Sequence, residues 1–246
     1  MKRTRDLVLD KWYSAGHDSY HVDKGEGADF FKVGPTLGAG GTAVWRDGKL
    51  HRAENFAKHR VLADGPIRAT FELDFDPWDA GGLRVTETKR ISIDAGANLF
   101  RQESVYRVEG GAAAAAPQEL TYAVGFVKRA GLVGSTSRAH PWAWLSTWGP
   151  MDNKPGEGGH GDLGSGVLLD RARLVDVKEL DDHYVFVATA RPGQPVVQYV
   201  GAGWTGSRDF SGVEDWWRYL DTHARRLAAP VKITVGPSAA STASSR

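Results

Sequence analysis

The sequence predicts an all-β fold, an antiparallel β-sandwich carrying one C-terminal amphipathic helix, and three observations lead there. The dominant hydrophobic period is two: in "IRATFELDF" Ile67, Ala69, Phe71, Leu73 and Phe75 fall on one face, and Arg68, Thr70, Glu72 and Asp74 on the other. Turn signals such as Arg46-Asp47-Gly48, Asp64-Gly65-Pro66 and Asp94-Ala95-Gly96 divide the alternating segments at short intervals. One late segment has the helical period instead.

Taken in order, strands are expected near Leu7 to Trp12, Phe56 to Leu62, Ile67 to Phe75, Leu83 to Ile93, Leu99 to Val108 and Leu120 to Val127. Others follow near Trp142 to Trp148, Val167 to Leu169, Leu174 to Glu179, Tyr184 to Thr189, Val196 to Val200 and Val231 to Val235. The run "GPTLGAGGTAVW" (Gly34 to Trp45) lacks the Gly-Lys-Ser/Thr ending of a phosphate loop, and no capped helix follows it, so it reads as a turn between strands. Gly110 to Pro117, "GGAAAAAP", reads as a surface loop. In "SGVEDWWRYLDTHARRLAAP" Ser211 and Glu214 suggest a capping box, Val213, Trp217, Leu220, Ala224 and Leu227 share a stripe, and Pro230 marks the end. A single domain over residues 1–236 is expected, followed by a tail, 237–246, too poor in apolar residues to order.

Composition narrows the partners. Lysine and arginine (31) nearly cancel aspartate and glutamate (30), so no whole-molecule field draws the protein to nucleic acid. No apolar run approaches the roughly 18 residues of a membrane span, and no export signal is readable at the start of the chain. With no cysteine, a metal would need oxygen ligands or histidine.

Charges interrupt an apolar row in "LRVTETKRISI". Leu83, Val85, Ile91 and Ile93 mark one face, and the same parity places Glu87 and Lys89 between them. The next strand repeats the pattern, with Leu99 and Val105 flanking Arg101 and Glu103. If the Asp94 to Asn98 loop sets an even register, all four charges share a side and Lys89 stands opposite Glu103. Ions cost several kcal/mol each to bury unless paired and hydrogen-bonded. The face is therefore either wet near mid-strand, a structural ion pair, or the polar cleft of a concave sheet.

Trp142, Trp144 and Trp148 also share a strand face, either as core between layers or as a platform for the apolar side of a pyranose. Trp204, in "GAGWTGS", is a loop-borne candidate for the same role. "HDSYHVDKGEGADFF" (His17 to Phe31) gathers ionisable groups among glycines. His17 and His21 are four apart, but Gly16, Gly25 and Gly27 deny them a helix and no HExxH is present, so a paired-histidine metal site is not expected. Calcium held by Asp23, Glu26 and Asp29 fits better, though without EF-hand spacing. No G-x-S-x-G elbow occurs.

"YHVDKGEGADFFKVGPTLGAGGTAVW", "VLADGPIRATFEL", "TKRISIDAGANLFRQES" and "YVGAGW" followed by the Trp-rich helix resemble a bacterial family, domain-of-unknown-function family 4861. Its members look like secreted or periplasmic proteins found among polysaccharide-degradation genes. The likeness runs from Lys2 to Gly236. It implies a galactose-mutarotase-like supersandwich, a periplasmic or secreted location and an oligosaccharide partner. Relatives generally carry a further N-terminal segment, so this chain reads as a shortened form.

The expectation that follows is a lyase, dehydratase or epimerase acting by proton abstraction on uronate-containing oligosaccharides, without a cofactor. Such chemistry needs a base, a cation on the sugar carboxylate and an acid at the leaving oxygen. Tyr20 or His21 would be base and acid, Lys89 and Arg101 the carboxylate clamps, and Glu103 or Asp23 the orienting group. His17, Asp23, Glu26, Glu87, Trp148, His160 and Trp204 would contact substrate. Paired-carboxylate hydrolysis by Glu26 with Glu87 or Glu103 ranks below this. The alternative class is a non-catalytic carbohydrate-binding module or glycan receptor, in which the tryptophans would line the site.

Overall fold

A computed structural model describes residues 12–14, 20–21, 23–31, 33–109, 117–151, 160–232 and 234. Two antiparallel sheets form a sandwich. The strands are β1 (Ala39–Arg46), β2 (Lys49–His51), β3 (Lys58–Asp64), β4 (Arg68–Asp79), β5 (Arg84–Asp94), β6 (Leu99–Glu109) and β7 (Leu120–Val127). They continue with β8 (Val133–Ser137), β9 (Trp142–Pro150), β10 (Asp162–Asp170), β11 (Leu174–Glu179), β12 (His183–Ala190) and β13 (Pro195–Trp204), followed by the helix α1 (Val213–Ala228). The smaller sheet has the order β11-β12-β7-β1-β2, and the larger β3-β4-β5-β6-β13-β10-β9-β8.

The glycine run expected to be a turn instead enters β1, and Asp47 (φ 50°) and Gly48 (φ 74°) close the β1–β2 hairpin with the paired positive dihedrals of a tight primed turn. Strand β8, rich in serine and glycine, has no alternation to reveal it. Of the strand expected at Val231 to Val235, the described residues 231, 232 and 234 are irregular, and the others lie outside the described residues. Residues 7–11 lie outside them as well, as do 110–116 of the expected loop and the tail from 235.

The core follows the period-two pattern. Val44, Tyr122, Val124, Phe126 and Phe186 of the smaller sheet meet Val85, Tyr106, Leu145, Val167, Leu169 and Val200 of the larger. The larger sheet is wider than its partner, so its two faces divide unequally. Its outer face over β9, β10 and β13 is covered by α1, with Trp216, Leu220 and Ala224 fully buried against Trp144, Trp148 and Leu168. Gly164, Gly166 and Gly203 make that approach close: a Cβ at any of them would lie 2.6–2.7 Å from Trp216, Leu220 or Phe210 atoms. The buried stripe of α1 thus centres on Trp216, with Val213, Trp217 and Leu227 at its margins. The capping pair is displaced too: Ser211 donates from its backbone N–H (3.1 Å) and its hydroxyl to Asp215, not Glu214.

His223 sits on α1 against Tyr199 (ring centroids 5.2 Å) and Tyr219 (6.2 Å), and its Nε2 has no hydrogen-bond partner among the described residues. Burial, aided by the Arg226 charge, holds its pKa below the usual histidine value. The unfolded chain then binds a proton that the folded one refuses. Stability is fully present above about pH 6.5, falls as pH drops below that, and levels off once pH has passed the folded-state value. His223→Phe is expected to flatten the change in Tm between about pH 7 and 5. Parallel Tm profiles for the two proteins would refute the assignment.

Candidate functional site

β5 brings Glu87 and Lys89 together. Its odd residues face inward, so Val85, Glu87 (3% exposed) and Lys89 (9%) are buried in a row, as the parity of the sequence predicts. Between them stands Thr42 of β1. Lys89 Nζ donates to Thr42 Oγ1 at 3.0 Å, the Thr42 hydroxyl donates to Glu87 Oε1 at 3.3 Å, and Nζ lies 3.6 Å from that carboxylate oxygen. Nζ also stands 5.1 Å from the centre of the Phe75 ring. This triad lines a cleft of about 470 Å³, whose other wall is the segment after β2 with Arg52, Glu54 and Asn55. β2 is the last strand of the smaller sheet, and the residues that follow it line the cleft.

A polar strip continues behind it. Ser104 is the cross-strand partner of Lys89, Tyr106 that of Glu87, and Gln102 that of Gln198. All four are buried, and the Tyr122 hydroxyl donates to Gln198 Oε1 at 3.3 Å. Among the described residues neither glutamine Nε2 finds a partner, and the Ser104 and Tyr106 hydroxyls make no hydrogen bond of standard geometry. Burial pushes the Tyr106 and Tyr122 phenols up, and the Glu87 charge acts in the same direction on both.

Arg101 and Glu103 do not join this site. Every β5–β6 pair couples an odd residue to an even one, so Lys89 faces Ser104 and Arg90 faces Glu103. The even register expected from the Asp94 loop is not adopted, and a one-residue slip exchanges the faces. Phe100, Gln102, Ser104, Tyr106 and Val108 turn inward, while Arg101 and Glu103 pair with each other on the outer face at 2.6 Å. There they belong to a ladder. Glu72, only 6% exposed, accepts from Arg90 (2.6 Å) and Arg60, and Arg68–Asp94 (2.6 Å) and Arg84–Glu109 (2.5 Å) add further rungs. The guanidinium of Arg90, then that of Arg60, holds the Glu72 carboxyl below its ordinary range. The ladder covers the part of the outer face that α1 does not reach.

Tyr20 and His21 are neighbours, with ring centroids 4.4 Å apart, but neither lines the Glu87–Lys89 cleft. His21 Nδ1 is 2.7 Å from the Asp29 carbonyl, and the Tyr20 carbonyl accepts from the Asp29 N–H, which closes the segment on itself. It is anchored by Ala28 and Phe30, which dock beside Trp204, Met151 and Leu163. An apolar pair at its end, unweighted among so many ionisable residues, decides where it lies. The acids in it serve the local chain: Asp23 accepts from Gly25 and Gly27 N–H (2.8 and 2.9 Å), Glu26 from the Trp12 indole (3.1 Å), and Asp29 from Phe31 N–H (2.9 Å). Among the described residues no three His, Asp or Glu side chains are grouped to hold a metal ion, and this includes the proposed calcium trio. His17 lies outside the described residues.

The tryptophans are core. Trp148 packs with Trp144 under α1, Trp144 stacking on Trp217 at 6.4 Å, so the layer they fill lies between sheet and helix. Trp204 is fully buried against Phe30 and donates from Nε1 to the His160 carbonyl at 2.6 Å. The His160 ring faces Phe30 at 5.6 Å. Trp148, Trp204 and His160 do not line the cleft. Conversely, Thr42, Arg52, Glu54, Asn55 and Phe75 escaped the sequence reading, because four of them sit in segments with no charge interrupting an apolar period.

Residues 1–233 match the model of a family described as "Domain of unknown function (DUF4861)". A protein of Formosa agariphila, "Uncharacterized protein P7", is 26% identical over 247 residues, which cover 96% of this chain; the chain spans 57% of that relative's length. A solved structure titled "Putative kojibiose phosphorylase from human microbiome" superposes on 78% of this chain and 26% of its own with a TM-score of 0.45 and 6% identity, too distant a likeness to bear on the argument.

Proposed function

The chain belongs to the family described as Domain of unknown function (DUF4861), and from that premise we propose that it is a carbohydrate-active protein whose Glu87–Lys89 cleft acts by acid–base chemistry on uronate-containing oligosaccharides. The observation that carries the reading is the placement of the pair. A lysine and a glutamate with side chains 11% and 3% exposed line a cleft about 470 Å³ in volume, where burial would otherwise disfavour them by several kcal/mol each. The family resemblance supplies the polysaccharide neighbourhood.

In this reading Lys89 and Arg52, from facing walls, meet the sugar carboxylate, and Glu87, held by the Thr42 hydroxyl, takes the proton beside it. The bond to the leaving oxygen then breaks as a carbon–carbon double bond forms, and that oxygen takes up a proton from solvent or from Lys89. Arg101, Tyr20 and His21 have no part in it. The buried tryptophans weigh against the alternative of a glycan receptor built on a tryptophan platform.

Incubation with a panel of saturated and unsaturated uronate oligosaccharides, followed by mass and ultraviolet absorbance, tests the proposal. Turnover is expected for the intact protein, with a loss of at least about 100-fold for Glu87→Gln and little change for Arg101→Ala. Binding without turnover would select the receptor class. Equal rates for Glu87→Gln and the intact protein would refute the proposal.

A further inference from the structure

Strand β4 inverts the usual order of burial. Glu72 is nearly buried on the outer face, whereas the apolar row on the opposite face, Ala69, Phe71, Leu73 and Phe75, is only partly buried, and Ile67 just before the strand is 76% accessible. The reason lies in sheet width: the smaller sheet ends at β2, and the inner faces of β3 and β4 extend past it. Phe56 (47% exposed), Val61 (62%), Phe71 and Leu73, with His59, line a groove of about 500 Å³ there.

This groove and the charged cleft are neighbours on the sheet. Leu73 is the cross-strand partner of Lys89, and Phe75 that of Glu87. Phe75 itself lines the charged cleft, with Lys89 Nζ over its ring. From β5 to β3 the surface crosses two strand spacings, about 10 Å, and passes from paired charges to an apolar floor with aromatic rings. The free edge at β3 carries Lys58, Arg60 and Asp64, all exposed, a set of charges that opposes edge-to-edge pairing with another sheet.

Resting on the reading of the cleft as a uronate site, we infer that the β3–β4 groove is its second subsite and holds the adjoining sugars of an oligosaccharide, apolar pyranose faces against Phe71 and Phe56, with the acidic residue at Lys89. A pyranose has one apolar face and a rim of hydroxyls, which matches a floor of this kind flanked by His59 and the charged cleft. The protein is thus selective for chains over single sugars.

Calorimetric titration of the intact protein and of Phe56→Ala/Phe71→Ala with a uronate monosaccharide and the matching tetrasaccharide tests this, with Val61→Ser as a milder variant should the double one fail to fold. The tetrasaccharide is expected to bind the intact protein at least about tenfold more tightly than the monosaccharide, and the variants to lose that ratio while keeping monosaccharide affinity. Equal affinity for both lengths overturns the subsite and leaves the cleft standing. An equal loss for both lengths in the variants also overturns it. No binding at any length refutes the cleft itself. A dimer that the variants dissociate in sedimentation would reassign the groove to self-association.

Discussion

Lys89→Met is expected to destabilise the fold by about 3–5 kcal/mol, a large share of the 5–15 kcal/mol that holds a domain of ordinary stability. The side chain is 11% exposed, and its ammonium is shared between Thr42 Oγ1 at 3.0 Å and Glu87 at 3.6 Å. Removing it strands the Glu87 carboxylate, 3% exposed, with the Thr42 hydroxyl as its remaining partner among the described residues. The double variant Glu87→Leu/Lys89→Met is expected to recover most of that loss, because apolar groups of similar volume carry no desolvation penalty. It should also be devoid of activity. Urea denaturation of the three proteins, with turnover measured alongside, checks both statements. A double variant as stable as the intact protein and inactive would show that the pair is maintained for chemistry at no benefit to stability. A single variant of unchanged midpoint would mean that the pair is solvated and that the cleft has no desolvated charge to use.

Trp216→Ala is expected to have the largest effect on the other face, again about 3–5 kcal/mol. The indole is fully buried, donates from Nε1 to Ser146 Oγ at 2.9 Å, and packs against Phe210 (5.1 Å) and Tyr219 (5.6 Å). The glycines beneath it, Gly164 and Gly203, have no side chain with which to fill the space left behind. The cavity therefore persists, and the helix loses its seat. Trp217→Ala, one position along at the margin of the stripe, should cost less. The order of the two denaturation midpoints tests the register of the helix; a reversed order would restore the stripe that the sequence suggests.

The buried pair at the centre of the site was legible from residue parity alone. The interruption of Val85, Ile91 and Ile93 by Glu87 and Lys89 is a property of one strand, and alternation along a single strand needs no knowledge of its neighbours. Thr42 and Phe75 could not be found that way, since Thr42 reaches the site from β1 of the facing sheet and Phe75 from β4, the neighbouring strand of the same sheet. Arg101 and Glu103 show the opposite failure. Their parity was read correctly within β6, yet whether they joined Lys89 depended on a one-residue choice of register that the turn at Asp94 to Asn98 leaves open.

The class of the fold, the period of most strands, the late helix and the presence of charges in an apolar row were all readable in the chain. These follow from local propensity and alternation, which act within a few residues. Not readable there were which face each charge shares, that Trp144 and Trp148 fill a layer under α1, that Phe30 carries the His21 segment to Trp204, and that the row from Ala69 to Phe75 stays only partly buried. Each of these depends on the relative width and offset of two sheets and on register between strands, and those are settled by the packing of residues far apart in the chain.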